Sequence, residues 1–363
     1  MTAAADWRQT KAGRLWLRYR LRWKRRELLW RAIRAGRGLT PVADRTALIR
    51  RDDILLFCCL RNEMARLPEF LAHYRALGVR HFLIVENDSD DGSAGYLRAQ
   101  PDLSLWCARG SYRATRFGMD WLGALLFRHG HGHWCVTVDA DELLIYPDWQ
   151  ARRLPALTAH RDARAIPAMG ALMLDLYPQG PLGSADAPGD APLTDRLSWF
   201  DTGPYRSRIM VPRRNRRVQG GARERMFFAD QPHRSPTLNK LPLIRWNRRH
   251  VYVNSTHSLL PPGMNDLYDG PGDPRLSGVL LHSKFLPDIT ARAAEELTRR
   301  QHFHDPDAFA PYHQWLTGAP VLWHDGAQRY CDWRQLLDLG LMGAAGWLGG
   351  DYPYARIILQ KTR

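Results

Sequence analysis

Between residues 53 and 140, short apolar runs alternate with helix-patterned stretches, and this rhythm restricts the fold more than any other feature of the chain. "DILLFCCL" (53–60), "RHFLIVEN" (80–87), "LSLWC" (103–107) and "HWCVTVDA" (133–140) are continuous apolar runs of strand length. Such runs suit strands covered on both faces. Between the first two, "LPEFLAHYRALG" (67–78) places Phe70, Leu71, Tyr74 and Leu77 on one helical face, with Pro68 near its start and Gly78 at its end. "FGMDWLGALLFRHG" (117–130) reads as another helix. The pattern predicts an α/β fold: a mostly parallel sheet flanked by helices. In such sheets ligands bind beyond the carboxyl ends of the strands.

The second half is less regular. "LPLIRW" (241–246), "HVYVNSTHSL" (250–259) and "GVLLHSKFL" (278–286) read as short strands, and "DITARAAEELTRRQHF" (288–303) as a helix. The Pro-, Gly- and Asp-rich stretch 178–195 reads as a mobile loop or the base of a lid. Three regions follow: a basic N-terminal extension (1–45), one catalytic-sized domain (46–310) and a helical cap (311–363).

Of the formal net charge of +15, +10 lies in residues 1–40, where twelve Lys/Arg face Asp6 and Glu27. Residues 6–37 form a basic helix with Trp16, Tyr19, Trp23, Trp30 and Ile33 broadly on one side. That combination suits an anionic membrane surface; the plainer reading packs the apolar side on the chain's own domain. A nucleic-acid partner is not expected, because the charge excess is terminal and no binding motif accompanies it. The sequence has no apolar run long enough to span a bilayer and no signal-peptide pattern. Its five cysteines, Cys58, Cys59, Cys107, Cys135 and Cys331, form no CxxC pair. They read as reduced residues of a cytoplasmic protein.

The fourth apolar run ends in Asp139-Ala140-Asp141-Glu142. Carboxylates at i and i+2, where a strand gives way to a loop, can reach one hard cation such as Mg²⁺ or Mn²⁺. An isolated Asp-x-Asp is more often a polar strand end. Here two further polar loops leave the same expected sheet edge: Arg61, Asn62 and Glu63 after the first strand, and Glu86, Asn87 and Asp88 after the second.

Together, "RNE", "IVENDSDDGS" and "VDADEL" resemble the motifs of family 2 glycosyltransferases, and most closely a bacterial subgroup with "EFLAHYRALGV" and "DADELLIYP". The resemblance covers residues 53–147 well; "FDTGPYRSR", "GGARERMFF", "LNKLPLIRW", "STHS" and "LLHSKFL" extend it. The family's second loop usually opens with two aspartates, where this chain has Glu86-Asn87.

The resemblance implies a GT-A-type fold with a Rossmann-like nucleotide-binding half and an acceptor-binding half. It implies metal-dependent, inverting transfer from a nucleotide-diphospho-sugar to the hydroxyl of a glycan or lipid-linked glycan. Such an enzyme would serve cell-surface polysaccharide or lipopolysaccharide synthesis, peripheral on the inner membrane. Asp139 and Asp141 would hold the Mn²⁺ or Mg²⁺, completed by His282 or His257. Lys284 would meet the diphosphate with Arg61, Asn62, Glu63, Glu86, Asn87 and Asp88 around the nucleotide; Arg206, Arg208 and Lys240 are weaker diphosphate candidates. The base would be Glu224, whose two preceding glycines let backbone approach the sugar, or else Asp201.

Two other classes compete. A nucleotidyltransferase would share metal and nucleotide, but the Gly- and Arg/Lys-rich loop expected after its first strand is missing. A non-catalytic basic protein, bound to membrane or nucleic acid through residues 6–37, would leave the acidic sheet edge unexplained.

Overall fold

The computed structural model describes residues 11–299 and 306–349. In chain order its principal strands are β1 (Thr40–Ala43), β2 (Leu55–Leu60), β3 (His81–Glu86), β4 (Leu103–Cys107), β5 (Trp134–Thr137), β6 (Glu142–Ile145) and β7 (Ala168–Asp175). Then come β8 (Tyr205–Met210), β9 (Asn215–Gly220), β10 (Asn239–Arg245) and β11 (Gly278–His282). The principal helices are α1 (Lys11–Ala35), α2 (Leu67–Leu77), α3 (Ser93–Arg98), α4 (Met119–Leu125), α5 (Leu154–Asp162), α6 (Gly221–Phe227), α7 (Ile289–Arg299), α8 (Pro306–Thr317) and α9 (Trp333–Asp338).

All but β8 and β9 form one sheet in the order β1-β4-β3-β2-β5-β10-β7-β11-β6. The four strands of the expected rhythm, β4-β3-β2-β5, are mutually parallel. Beyond them β10 runs antiparallel to both neighbours, β7 and β11 are parallel, and the edges β1 and β6 are antiparallel. The fold is therefore mixed α/β with a parallel half. β2, β3, β5 and β7 are buried along their whole length, as their unbroken apolar runs require.

β7 departs from the sequence reading, which assigned residues 168–175 no strand. "AMGALMLD" holds no β-branched residue, so local preference does not mark it. Its place between β10 and β11 makes it a strand, and Gly170 is required there because a Cβ would fall 2.2 Å from that of Tyr268. Residues 250–259 also differ. They give two two-residue strands, Val251–Tyr252 and Leu259–Leu260, around a tight helical turn at Ser255–His257.

The stretch 178–195 is pinned down: Leu182 and Leu193 are buried, and the Leu193 amide donates to Glu69. The boundary expected at 310 falls inside α8, and Trp347 packs into the main core. Residues 6–10, 300–305 and 350–363 of the expected elements lie outside the described residues.

Helix α1 lies on α4 with Ala32 buried against Gly123, while Leu28, also buried, packs on Val251, Val253 and Leu260. Small residues let the backbones approach: a Cβ at Gly36 would come 2.7 Å from that of Ala124. The cysteines are free; Cys58, Cys59 and Cys135 are buried, whereas Cys331 is exposed.

One half-buried histidine gives the fold a pH dependence. His73 on α2 donates from Nε2 to the Leu144 carbonyl at 2.9 Å, and burial lowers its pKa to about 4. The unfolded chain therefore takes up this proton first. The contribution is complete above about pH 6.5 and is lost as pH falls toward 4, at up to about 1.4 kcal/mol per pH unit. Denaturant midpoints at pH 7 and pH 5 should differ less in His73→Gln than in the parent.

Candidate active site

The carboxyl ends of β2, β3 and β5 open onto a cleft of about 340 Å³, closed on the other side by α7 and α8. Sheet register explains what gathers there. His282 at the end of β11 is paired with Asp175 at the end of β7 on one side and with Glu142 at the start of β6 on the other. Because β10 runs antiparallel, Lys240 near its start reaches the edge where β5 delivers Asp139 and Asp141.

The acids then divide between two cations. Lys240 Nζ donates to Asp139 at 2.7 Å and also to Glu142, which is wholly buried. Burial would lower the Lys240 pKa, but these carboxylates raise it above the ordinary lysine value. Burial raises that of Glu142, and Lys240 opposes the rise. Asp141 Oδ2 faces His282 Nε2 at 3.0 Å, His282 Nδ1 meets Asp175 Oδ1 at 2.6 Å, and Arg223 Nε donates to Asp175 Oδ2 at 2.7 Å. Although burial raises it, Asp141 is drawn well below the usual carboxylate range by His282. Burial likewise works against Asp175, which Arg223 and His282 hold at about 2. His282 is raised by the two carboxylates against its own burial.

Basic side chains share the cleft with the acids. Lys284, Arg66, Arg223 and Arg292 line the cleft. Arg66 and Arg292 are engaged by Glu63 and Asp288. Lys284 has no ion-pair partner among the described residues, and burial followed by repulsion from Arg223 lowers its pKa to about 8. Arg223 Nη2 is a buried donor with no hydrogen-bond partner among the described residues. An uncommitted ammonium and an unpartnered guanidinium nitrogen in one cleft are a site for an anion.

The other residues named from the sequence divide clearly. Arg61, Asn62, Glu63, Asn87 and His257 line the cleft with the acids. Asn87 spends its amide on the carbonyls of Ala108 and Gly110, and Glu63 on arginines, so both shape the wall. Glu86 caps its own loop at the Ser89 amide, and Asp88 is exposed; neither lines the cleft. His257 Nδ1 donates to the Asn239 carbonyl at 2.6 Å, which leaves Nε2 as an acceptor; burial and Lys240 lower its pKa to about 4.

The two residues expected to act as base are not brought to the cleft. Glu224 is held in a bidentate pair by Arg206, at 2.7 Å for one contact, and accepts from Ser235 at 2.6 Å. Asp201 is clasped by Arg225 and Tyr177. The paired glycines do not receive a ligand either: a Cβ on Gly220, at φ +139°, would lie 2.1 Å from the Pro204 carbonyl. Glu224→Gln should therefore leave donor binding intact and keep transfer within about tenfold of the parent, while lowering stability by about 1–3 kcal/mol; steady-state rates and denaturant melts check both.

Asp175, Arg223, Arg66 and Arg292 were not singled out from the sequence. Asp175 had a signal: like Asp139, it ends an apolar run. The arginines had none, being a few among many.

A divalent cation can be tested against these donors. His282 donates from Nε2 to Asp141 and from Nδ1 to Asp175; a cation that displaced the Nε2 proton would find the lone pair already aimed at Asp141, with Asp175 keeping the proton on Nδ1. A carboxylate oxygen beside an imidazole oriented by a second carboxylate suits Mn²⁺ or Mg²⁺. Asp141 and His282 fit in this way, whereas Asp139 is engaged by Lys240. Among the described residues no three acid, imidazole or thiol groups already converge as a metal cluster.

No family model matches the sequence, and no curated protein matches it. Among solved structures, the chain is similar to S. aureus TarS, at 12% identity over 40% of this chain and 26% of that one, with a TM-score of 0.25. It is similar to the mannosyltransferase PcManGT from Pyrobaculum calidifontis, in complex with GDP-Man and Mn²⁺, at 20% identity over 44% and 46%, with a TM-score of 0.23. A candidate glucose-1-phosphate thymidylyltransferase from Bacillus anthracis, in complex with a sucrose, overlaps at 7% identity over 74% and 84%, with a TM-score of 0.25. The chain spans about a quarter and about half the length of the first two. Likenesses this faint carry no inference about chemistry, which rests on the side chains.

Proposed function

We propose that the protein is a glycosyltransferase that moves a sugar from a nucleotide-diphospho-sugar to the hydroxyl of a glycan or lipid-linked glycan. The observation that carries this reading is one cleft that holds the acids together with an unpaired Lys284 and the unpartnered Nη2 of Arg223. A diphosphate seated in this cleft would meet Lys284, Arg223 Nη2 and a cation held by the acids. Asp141 and His282 would hold a divalent ion, with Asp139 joining once it exchanges Lys240; bound there, the ion offsets diphosphate charge.

Protein groups carry the rest. Lys284 and Arg223 stabilise the charge that grows on the departing nucleoside diphosphate as the acceptor oxygen bonds to the anomeric carbon and the carbon–phosphate oxygen bond breaks. Asn62 and Arg61, on the first loop, face the nucleotide. The acceptor's proton goes to a cleft-lining group other than Glu224 or Asp201. His257 Nε2, neutral and accepting, is the one we favour. Synthesis of cell-surface polysaccharide on the inner face of a membrane is the setting this activity fits.

Thermal unfolding with UDP, GDP, CMP and ADP, each with and without Mn²⁺, tests the reading. One nucleotide at about a hundred times its dissociation constant should add about 2.7 kcal/mol, and only with metal. Stabilisation by nucleoside triphosphates in preference to diphosphates would turn the reading to nucleotidyl transfer. No stabilisation by any nucleotide would refute it.

A further inference from the structure

The packed side of α1 is Leu28 and Ala32, so its aromatic side has nowhere to go but outward. At about 100° per residue, Tyr19, Trp23 and Trp30 fall within roughly 40° of one another and roughly opposite Leu28. Trp23 is 52% exposed and Trp30 61%. A soluble helix normally turns such residues inward. Arg26 lies over the Trp23 ring at 5.2 Å and Arg34 over Trp30 at 5.4 Å, so each ring carries a cation at its edge of the surface. The plainer expectation, that this side packs on the chain's own domain, is not met.

A second element repeats the chemistry. The β8–β9 hairpin stands outside the sheet, and near its tip Ile209 is 54% and Val211 67% exposed. Arg208, Arg213, Arg214, Arg216 and Arg217 lie beside them in the chain, with Arg214 and Arg216 paired to Asp266 and Asp269. Arg208 and Arg217 are cross-strand partners, a like-charge juxtaposition that an anion would relieve. The segment 251–265 touches the packed side of α1 and the base of the hairpin turn. Leu28 packs with Val251, Val253 and Leu260, while Asn265 donates to the Arg213 carbonyl at 2.9 Å.

We propose that the outward face of α1 and the tip of the β8–β9 hairpin each dock on an anionic lipid bilayer. Exposed aromatic and aliphatic side chains enter the interface while the arginines meet headgroup phosphates. Among the described residues no helix is long and apolar enough to cross a membrane, so the contact is peripheral. The proposal goes beyond sugar transfer and stands without it, since lipid binding needs no donor.

Flotation of the full chain with phosphatidylcholine vesicles, with and without phosphatidylglycerol, tests it. The parent should bind the anionic vesicles and scarcely the neutral ones. Trp23→Ser/Trp30→Ser and Ile209→Ser/Val211→Ser should each lower the partition coefficient about tenfold, with unchanged melting temperature, because every replaced side chain is exposed. Parent-like binding by both variants overturns the proposal, including the case in which salt alone releases them, since the surface would then be merely electrostatic. So does a Trp-dependent dimer in sedimentation velocity without lipid, which would make the aromatic face a contact between two copies.

Discussion

Asp141→Asn is expected to abolish metal-dependent nucleotide binding and to lower transfer by about 10²–10³-fold, with the fold retained. Asn has the same size and its amide oxygen can still accept from His282 Nε2, so the 3.0 Å contact survives. What disappears is the charge. Asp141 is held anionic well below the usual carboxylate range by His282, and it is the one member of the acidic turn whose partner is an imidazole, a side chain able to ligate a metal. Without that anion the site has Asp139 alone, and Lys240 already engages it. Mn²⁺ titration calorimetry and nucleotide-dependent melting read the loss directly. Parent-like Mn²⁺ affinity in a folded Asp141→Asn protein would remove Asp141 from the metal site.

Arg66→Met should destabilise the protein by about 3–5 kcal/mol, since breaking a buried ion pair strands its partners. Arg66 is 1% exposed and makes five contacts: two to the Ser283 carbonyl, one to Glu63 and two to Asp288. It thereby ties the loop after β2 to the loop after β11, on which Lys284 sits. Methionine fills the space but leaves the Ser283 carbonyl without its donor. Arg66→Lys should recover only part of the loss, because one ammonium cannot span three acceptors. Urea melts measure the stability. Nucleotide affinity should fall in parallel as Lys284 loses its anchor; a melt like the parent's would show that Arg292 alone holds the two loops together.

The parallel half of the sheet was legible because each strand announces itself within its own residues. Burial on both faces demands an unbroken apolar run, and helix α2 carries a face of period 3.6 between Pro68 and Gly78. The acidic turn was legible for the same local reason: Asp139 and Asp141 are two residues apart at a strand's end. β7 was not legible, since "AMGALMLD" suits a helix as well as a strand and only its two neighbours decide. The strand read at 250–259 failed in the opposite direction, because an apolar alternation there is interrupted by the turn at Ser255–His257.

The candidate base illustrates a different limit. Glu224 between Arg223 and Arg225 looks available in sequence, but the partner that occupies it is Arg206, across a hairpin end 18 residues away. Arg223, one position before, turns the other way to Asp175, 48 residues off. Adjacent residues on one short helix thus take different partners, and nothing in their spacing says which.

The sequence by itself determined the alternation of strand and helix, the acidic strand end and the basic aromatic character of α1. All three follow from side-chain chemistry over a few residues. Only the tertiary structure decided that Lys240, 101 positions along, neutralises Asp139, that His282, 141 positions along, neutralises Asp141, and that the tryptophans face outward. Those outcomes depend on strand order and register, which bring distant residues to one sheet edge and leave one face of α1 for packing and the other for solvent.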